Sequence, residues 1–325
     1  MIEIIASGPL NTVQDLGRHG YRNIGVATAG AMDSVALRVG NLLLGNEANS
    51  AGIEIQTYPF RMRFERDMAI ALTGADCKAQ LDGKPVMPWW ALTVKAGQVL
   101  ELGYPKAGAR GYICFNGGID VPLLMGSRST SLRGNFGGLN GRTLQAGDQL
   151  ILADAPTPVL PEGGVGVTPP AVALKNHFPL DEDGTLLLRA IPSGEYELFR
   201  ADAERFWAQR WKISAQSNRT GFRLSGPPIN PETVVEMRSY GLVPGIVQVP
   251  PGGEPIIQLS DANTAGGYPK IAGVIEVDLW RLGQAAIGSK IRLVQADTSV
   301  AIEAEQALEG YLNDIARLIG ALTKH

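Results

Sequence analysis

Residues 255–279, "PIIQLSDANTAGGYPKIAGVIEVDL", place a carboxylate, amides, a hydroxyl and two adjacent glycines between two strongly apolar runs. Each run carries β-branched residues, so the stretch reads as strand, polar loop, strand. The texture continues outward in both directions. "GIVQVP", "TLLLRAI" and "KIRLVQA" lie around it, and "AIALTG", "ALTVKAG", "QVLELG", "GYICFNGG" and "QLILAD" fill the N-terminal half, punctuated by 40 Gly and 21 Pro. Short apolar runs closed by glycine and proline turns are the pattern of β-barrels and sandwiches. The fold class expected is mainly β, in two β-rich domains with a few amphipathic helices.

Three helices interrupt the pattern. Asp33 is placed to cap "SVALRVGNLLL", whose Ala36, Val39, Gly40 and Leu43 share a face, with Gly45 as its stop. "EYELFRADAERFWAQRW" aligns Phe199, Ala203, Phe206 and Trp207. The last segment carries Leu308, Tyr311, Leu312, Ile315, Leu318, Ile319 and Leu322 as one stripe, expected to close over the C-terminal domain. "KAGQVLEL", "QAGDQLIL" and "AIGSKIRL" echo one another, which reads as one common turn before a strand. Residues 153–185 are rich in Pro and Gly without a sustained period. They are expected to link or cross between an N-terminal domain, 1–152, and a C-terminal one, 186–325.

Composition and missing motifs exclude whole classes of function. A net charge of -3 over 325 residues gives no field for nucleic acid or an anionic membrane, so small molecules and proteins are the expected partners. Cys77 and Cys114 sit in apolar contexts that suit buried thiols in a reducing compartment, and with no signal-peptide pattern or membrane-length apolar run the cytoplasm is expected. The single Gly83-Lys84 pair has Lys78 where a phosphate loop would need its first glycine, and Gly164-Val-Gly166 lacks the third glycine of a dinucleotide fingerprint. With only His19, His177 and His325, and no Gly-x-Ser-x-Gly elbow, a Ser-His-Asp hydrolase is not expected. No Cys/His cluster has metal spacing, and no Ala-Met-Lys-Met run is present to carry biotin.

Four polar constellations remain. The first is "NTVQDLGRHGYRNIG", residues 11–25, with Gln14, Asp15, Arg18, Tyr21 and Arg22; an Asp–Arg network fixing a loop and a ligand contact fit it equally. The second, residues 117–142, combines Arg128, Arg133 and Arg142 with hydroxyls and glycines, suited to a carboxylate or phosphate, or to a surface loop. Residues 214–226 set Asn218 and Arg219 at a turn before Gly221. In the fourth, Gln248, Asp261, Asn263, Thr264 and Tyr268 fall at strand ends or between strands, and Gly266-Gly267 would let backbone approach a flat substrate. Asp261 is the natural acid/base or cation-facing group there.

These constellations carry a resemblance that runs nearly the length of the chain. "TVQDLGRHGYRNIGVATAGAMDSVALRVGNLLLGN", "ALTGADCKAQLDG", "GGIDVPLLMGSRSTSLRGNFGGLNGR", "SAQSNRTGFRLSG", "GLVPGIVQVPPGGEPIIQLSDANTAGGYP" and "IEVDLWRLGQ" resemble the C-subunit family of prokaryotic 5-oxoprolinase. That family is also called KipA-like or allophanate hydrolase subunit 2, and is similar to part of the carboxyltransferase domain of urea carboxylase. The resemblance implies a cyclophilin-like barrel as the C-terminal domain, a heteromer with the KipI-like B subunit, and joint work with the A subunit of 5-oxoprolinase. The implied reaction opens 5-oxoproline to L-glutamate, with ATP as co-substrate, Mg2+ implied, and no biotin attached to this chain.

A lactam amide is resonance-stabilised and its nitrogen leaves poorly. Phosphorylation of the amide oxygen creates a centre that water can attack, and needs donors at the developing oxyanion, cations facing phosphate and a carboxylate. By the resemblance, Arg219, Gln248, Asp261 and Tyr268 are the catalytic candidates. Asn218, Asn263, Thr264, Gly266, Gly267, Gln14, Asp15, Arg18 and Arg128 are the substrate-binding candidates. Two departures stand out: Ala265 replaces the family's usual second Thr, and "AIPSGEY" replaces a Leu-Pro-Gly-Pro-like run. Two other readings stay open: a carboxyltransferase half-site for urea or a related amide, with carboxybiotin on another chain, and a non-catalytic regulator of a KipI-like protein.

Overall fold

The computed structural model describes residues 1–233 and 236–322, which leaves His325 outside. The described residues form two compact units: 1–18, 29–173 and 309–322 make one, and 19–28, 174–233 and 236–308 the other.

The first unit holds two six-stranded antiparallel sheets. In one, strand Ile2–Ala6 lies between Gln149–Leu150 and Phe60–Phe64. In the other, Met68–Asp76 lies between Trp90–Val94 and Ala107–Phe115. Alternation along Phe60–Phe64 sends Phe60, Met62 and Phe64 inward and leaves Arg61 and Arg63 exposed. The inward residues meet Ile53, Ile70, Ile113 and Phe115 in one core. Each such side chain contributes about 1.5–3 kcal/mol on burial. Helix Ser34–Leu43 forms as expected: the Asp33 carboxylate accepts from the Ala36 N–H at 2.8 Å, and the apolar face is buried. Gly40 lets it approach the second sheet, since a Cβ there would stand 2.7 Å from Cys114 Sγ. Burial pushes the Cys77 thiol up to about 11 and the Cys114 thiol up to about 12, and both are free and inert.

Residues 153–173 fall in this unit and 174–185 in the other. Within them Val165–Gly166 pairs with Trp90–Val94, and the Trp90 indole donates to the Gly163 carbonyl at 2.8 Å. Helix Thr298–Leu322 groups with this unit from Glu309 on, where Tyr311 donates to the Thr168 carbonyl at 2.7 Å. Its buried stripe is narrower than the sequence suggested. Ala304, Leu308, Leu312, Ile315 and Ile319 are covered, while Leu318 and Leu322 face solvent.

The second unit is a closed seven-stranded barrel. Round it run Leu186–Pro192, Lys270–Val274, Ile246–Gln248, Ile256–Gln258, Gly221–Ser225, Trp211–Ile213 and Lys290–Gln295. The last returns to the first as the one parallel pair among the described barrel strands. Leu188, Trp211, Phe222, Val247, Ile257, Ile271 and Leu293 fill it at 0 % exposure. Phe199, Ala203 and Phe206 are buried as expected, the first in a 3-10 turn and the others in helix Arg200–Ala208.

The opening stretch departs from its reading at one end. The second strand stops at Val274, and Glu276–Asp278 and Leu279–Gly283 are helical. Asp278 explains the turn: fully buried, it accepts from the Arg189 N–H at 2.8 Å and from the Arg189 guanidinium, and a straight strand would not bring it there. The three echoes, two with Ala-Gly and one with Ile-Gly, are one turn. Gly97, Gly147 and Gly288 all have φ between 85° and 89°, and Gln98, Asp148 and Ser289 each donate back three residues before a strand begins. Among the described residues no helix is long and apolar enough to cross a membrane.

Candidate functional site

Three neighbouring barrel strands carry a polar row. Gln248 stands opposite both Ile256 and Lys270 in the ladders, and Gln258 lies diagonally across from it. Val247, Ile257 and Ala272 enter the barrel core, so alternation puts Gln248 and Gln258 on the outer face, and a register shift opposite Val247 and Gln248 brings Lys270 beside them. That face is itself covered: the three side chains are 4 %, 4 % and 5 % exposed.

Their hydrogen bonds form a chain. Lys270 Nζ and Gln248 Nε2 both donate to the Tyr268 carbonyl, at 3.2 and 3.3 Å, and Gln258 Nε2 donates to Gln248 Oε1 at 3.0 Å. Gln258 Oε1 is buried without a partner. The Tyr240 ring lies 3.4 Å from Lys270 Nζ, a cation–π contact. The Tyr240 hydroxyl donates to Glu195, whose other oxygen accepts from the Lys270 N–H at 2.9 Å. Burial holds the Lys270 ammonium below the usual lysine range while Glu195 pulls the other way, and burial with Glu195 raises the Tyr240 phenol.

Arg219 and Asp261 come together at one end of the Gly221–Ser225 and Ile256–Gln258 pair. The guanidinium meets both carboxylate oxygens at 3.0 and 3.1 Å, and the Asp261 N–H donates to the Arg219 carbonyl at 3.0 Å. Both are buried. Of the two readings of Asp261, acid/base or cation-facing, the geometry shows the second: the Arg219 fork holds both of its oxygens. Asn218 is exposed, and its amide oxygen caps the Thr220 N–H at 2.8 Å.

The loop after Asp261 is pinned from far away in sequence. Arg22 donates to the Leu242 carbonyl at 2.6 and 3.0 Å and to the Asn263 carbonyl at 2.7 Å, and Thr264 accepts from the Leu242 N–H at 3.0 Å. Gly266 pairs with Tyr240 in a two-stranded ribbon. The space beside Gly266 and Gly267 belongs to the chain itself. A Cβ at Gly266 would stand 2.9 Å from Gln248 Nε2, and one at Gly267 2.9 Å from the Met237 carbonyl. Tyr268 leaves its side chain 48 % exposed beside the row.

The first constellation divides: Gln14, Asp15 and Arg18 belong to the first unit, Tyr21 and Arg22 to the second. Asp15 is a clamp. Its carboxylate accepts from the Gly17 N–H at 2.8 Å, from the Ser127 and Ser129 hydroxyls at 2.7 and 2.5 Å, and from the Arg128 N–H at 2.6 Å. Arg18 holds the Leu124 and Ser129 carbonyls at 2.9 and 3.0 Å and stacks on Phe136. Gln14 donates to Thr12 and to the Thr130 carbonyl. Arg128 reaches Asp120 at 3.5 Å with a partly exposed side chain. Among the described residues no group of three or more His, Cys, Asp or Glu is placed to hold a metal ion.

Sequence reasoning missed Lys270, Gln258, Tyr240 and Glu195. One signal was present: "IVQ" at 246–248 and "IIQ" at 256–258 repeat the same pattern ten residues apart, as two adjacent strands ending in an amide would.

A family profile described as carboxyltransferase domain, subdomain A and B, matches residues 24–295. The chain belongs to this family. It is 43% identical over 317 residues to the 5-oxoprolinase C subunit of Escherichia coli, covering 97% of this chain and 98% of that one. It is 39% identical over 320 residues to the 5-oxoprolinase C subunit of Haemophilus influenzae, covering 98% and 99%. The crystal structure of Kluyveromyces lactis urea carboxylase superposes with a TM-score of 0.84 at 31% identity, over 97% of this chain and 29% of that one. The first constellation, from Arg22 back, lies just outside the profile match, yet the C-subunit relatives align over nearly the whole chain.

Proposed function

We propose that this chain is the C subunit of a heteromeric, ATP-dependent 5-oxoprolinase that opens 5-oxoproline to L-glutamate. The observation that carries the reading is the identity of 43% to a relative of that kind, over 97% of this chain and 98% of the relative. ATP, with Mg2+, enters as co-substrate, and the A subunit together with the KipI-like B subunit completes the enzyme in the cytoplasm.

The chemistry supports a division of labour. Once the lactam oxygen carries the phosphoryl group of ATP, water adds to the carbon, the ring nitrogen takes a proton and leaves to give a γ-glutamyl phosphate, and a second water releases inorganic phosphate and L-glutamate. Developing negative charge is stabilised best by donors already oriented and withdrawn from water. Lys270 and Gln248 are such donors, buried and aligned by one carbonyl. The half-exposed Tyr268 phenol is positioned to face a substrate. Arg219 and Asp261 act as a positioning pair that fixes the loop on which Asn263 and Thr264 stand.

The experiment is co-purification with the A and B subunits, followed by ATP-dependent release of glutamate from 5-oxoproline. The expected result is turnover that needs all three chains. Full turnover by the other two chains without this one would overturn the reading.

The match to urea carboxylase favours a second reading, carboxyl transfer to an amide nitrogen from carboxybiotin on another chain. Carboxylation of urea by this chain with a biotin-carrying partner, and no glutamate release, would establish it instead.

A further inference from the structure

We propose that the row Lys270–Gln248–Gln258 is a covered subsite for one planar amide-type group, a lactam or ureido unit, and that Tyr240 is its cover. The inference deepens the proposed function and rests on it only for the identity of the natural ligand; the complementarity stands on which polar atoms of the row the fold leaves with capacity.

The polarity of the row is fixed by its first member. The Tyr268 carbonyl can only accept, so Gln248 must turn its NH2 toward it, at 3.3 Å. That leaves Gln248 Oε1 for the NH2 of Gln258, at 3.0 Å, and leaves Gln258 Oε1 as a buried acceptor. It has no partner in the fold although the residue is 4 % exposed. An acceptor buried without a donor costs about 1–3 kcal/mol in general, and proteins keep few of them without a use.

At the other end stands a donor with spare capacity. Lys270 Nζ has three N–H groups and gives one to the Tyr268 carbonyl, while an aromatic ring occupies the space 3.4 Å away. The ends of the row therefore want opposite things: Lys270 wants an acceptor, Gln258 a donor. A carboxylate or phosphate would satisfy Lys270 and face Gln258 Oε1 with lone pairs. A cation would satisfy Gln258 and be repelled by Lys270. A group bearing both C=O and N–H on one planar frame satisfies both, which describes an amide, lactam or ureide.

Tyr240 keeps the row closed. It belongs to a ribbon of two residues on each side, Tyr240–Gly241 with Ala265–Gly266, and its hydroxyl is held by Glu195. Tyr240 is 39 % exposed, so it lies at the surface and not in the barrel core.

The test uses the full chain, alone and in the complex with the A and B subunits. Lys270 is acylated with an amine-reactive reagent and the labelling rate is read by mass spectrometry, with 2-pyrrolidone as probe and cyclopentanecarboxylate as the anion control. The expected result is that 2-pyrrolidone slows labelling and the carboxylate does not. Gln258→Met should raise the 2-pyrrolidone concentration needed at least tenfold. Tyr240→Ala, a change at a partly exposed site, should speed labelling several-fold without ligand and guards against a Gln258 variant that fails to fold. No protection by the lactam, equal protection by the carboxylate, or protection unchanged in Gln258→Met would each overturn the proposal. Glutamate release by the complex with no lactam protection would sink the subsite and leave the function standing. Gln258-dependent protection without glutamate release would do the reverse.

Discussion

Two buried polar clusters, Asp15 with its loop in the first unit and Lys270 with its row in the second, arise from the same kind of sequence, polar side chains among glycines. They end in opposite states. Asp15 receives four hydrogen bonds from groups of its own chain, all within 2.8 Å, so its charge is fully compensated. Arg18 Nη1 and Gln14 Oε1 stay unpaired there, but the loop backbone presses in at Gly137 and Gly138, where a Cβ would strike the Ser129 carbonyl or Thr130 Oγ1. The Lys270 row ends in a spare donor and a spare acceptor under one partly exposed ring. A carboxylate whose oxygens are all taken stabilises its loop; a row with a spare donor at one end and a spare acceptor at the other is available to bind.

The contrast breaks most easily at its saturated pole. Asp15→Asn should cost about 3–5 kcal/mol, because a buried charge network loses its compensating member. Thermal unfolding would show it as a drop of several degrees or more, and a loss below about 1 kcal/mol would mean that Asp15 is not the clamp described. Asp261→Asn should destabilise by a similar or slightly smaller amount, since the buried Arg219 guanidinium would face a neutral amide in place of a carboxylate. A double-mutant cycle with Arg219→Met measures the coupling directly, and additive losses would dissolve the pair.

At the unsaturated pole the effect moves from stability to chemistry. Lys270→Met should keep the melting temperature near that of the parent while lowering kcat/KM of the assembled enzyme about a hundredfold, or ~2.7 kcal/mol. A large loss of stability with normal turnover would assign Lys270 to the fold. Its titration sharpens the point. Burial lowers the Lys270 pKa, so between that value and the usual lysine value of about 10.4 the unfolded chain binds more protons than the folded one. Stability contributed by this residue therefore rises with pH across that window, and Lys270→Met should remove the slope. The smallest effect belongs to the surface fork Arg38–Glu309, partly exposed on both sides, where Glu309→Gln should cost about 0.5 kcal/mol and be erased by salt.

What could be read from the chain alone was local. The Asp33 cap, the glycine stops and the three echoed glycine turns depend on residues within four positions of one another, and strand patterning shows wherever one face is buried. Arg219 and Asp261 were singled out separately, but nothing in either segment says that they form one fork across 42 positions. Lys270 passed unnoticed because a lysine opening a strand resembles any surface lysine. Only the register of Lys270–Val274 against Ile246–Gln248 sets it beside Gln248.

By itself the sequence determined a mainly β chain, its strands, its first helix and the loops where polar groups gather, because propensity, alternation and turn chemistry act between near neighbours. Tertiary structure decided which polar groups are saturated. It locked Asp15 and Asp261 into their own chain, drew Arg22 to the loops at Leu242 and Asn263, and left Gln258 and Lys270 with capacity to spare. Partner counts depend on contacts between residues tens or hundreds of positions apart, and those exist only once the strands have closed into a barrel.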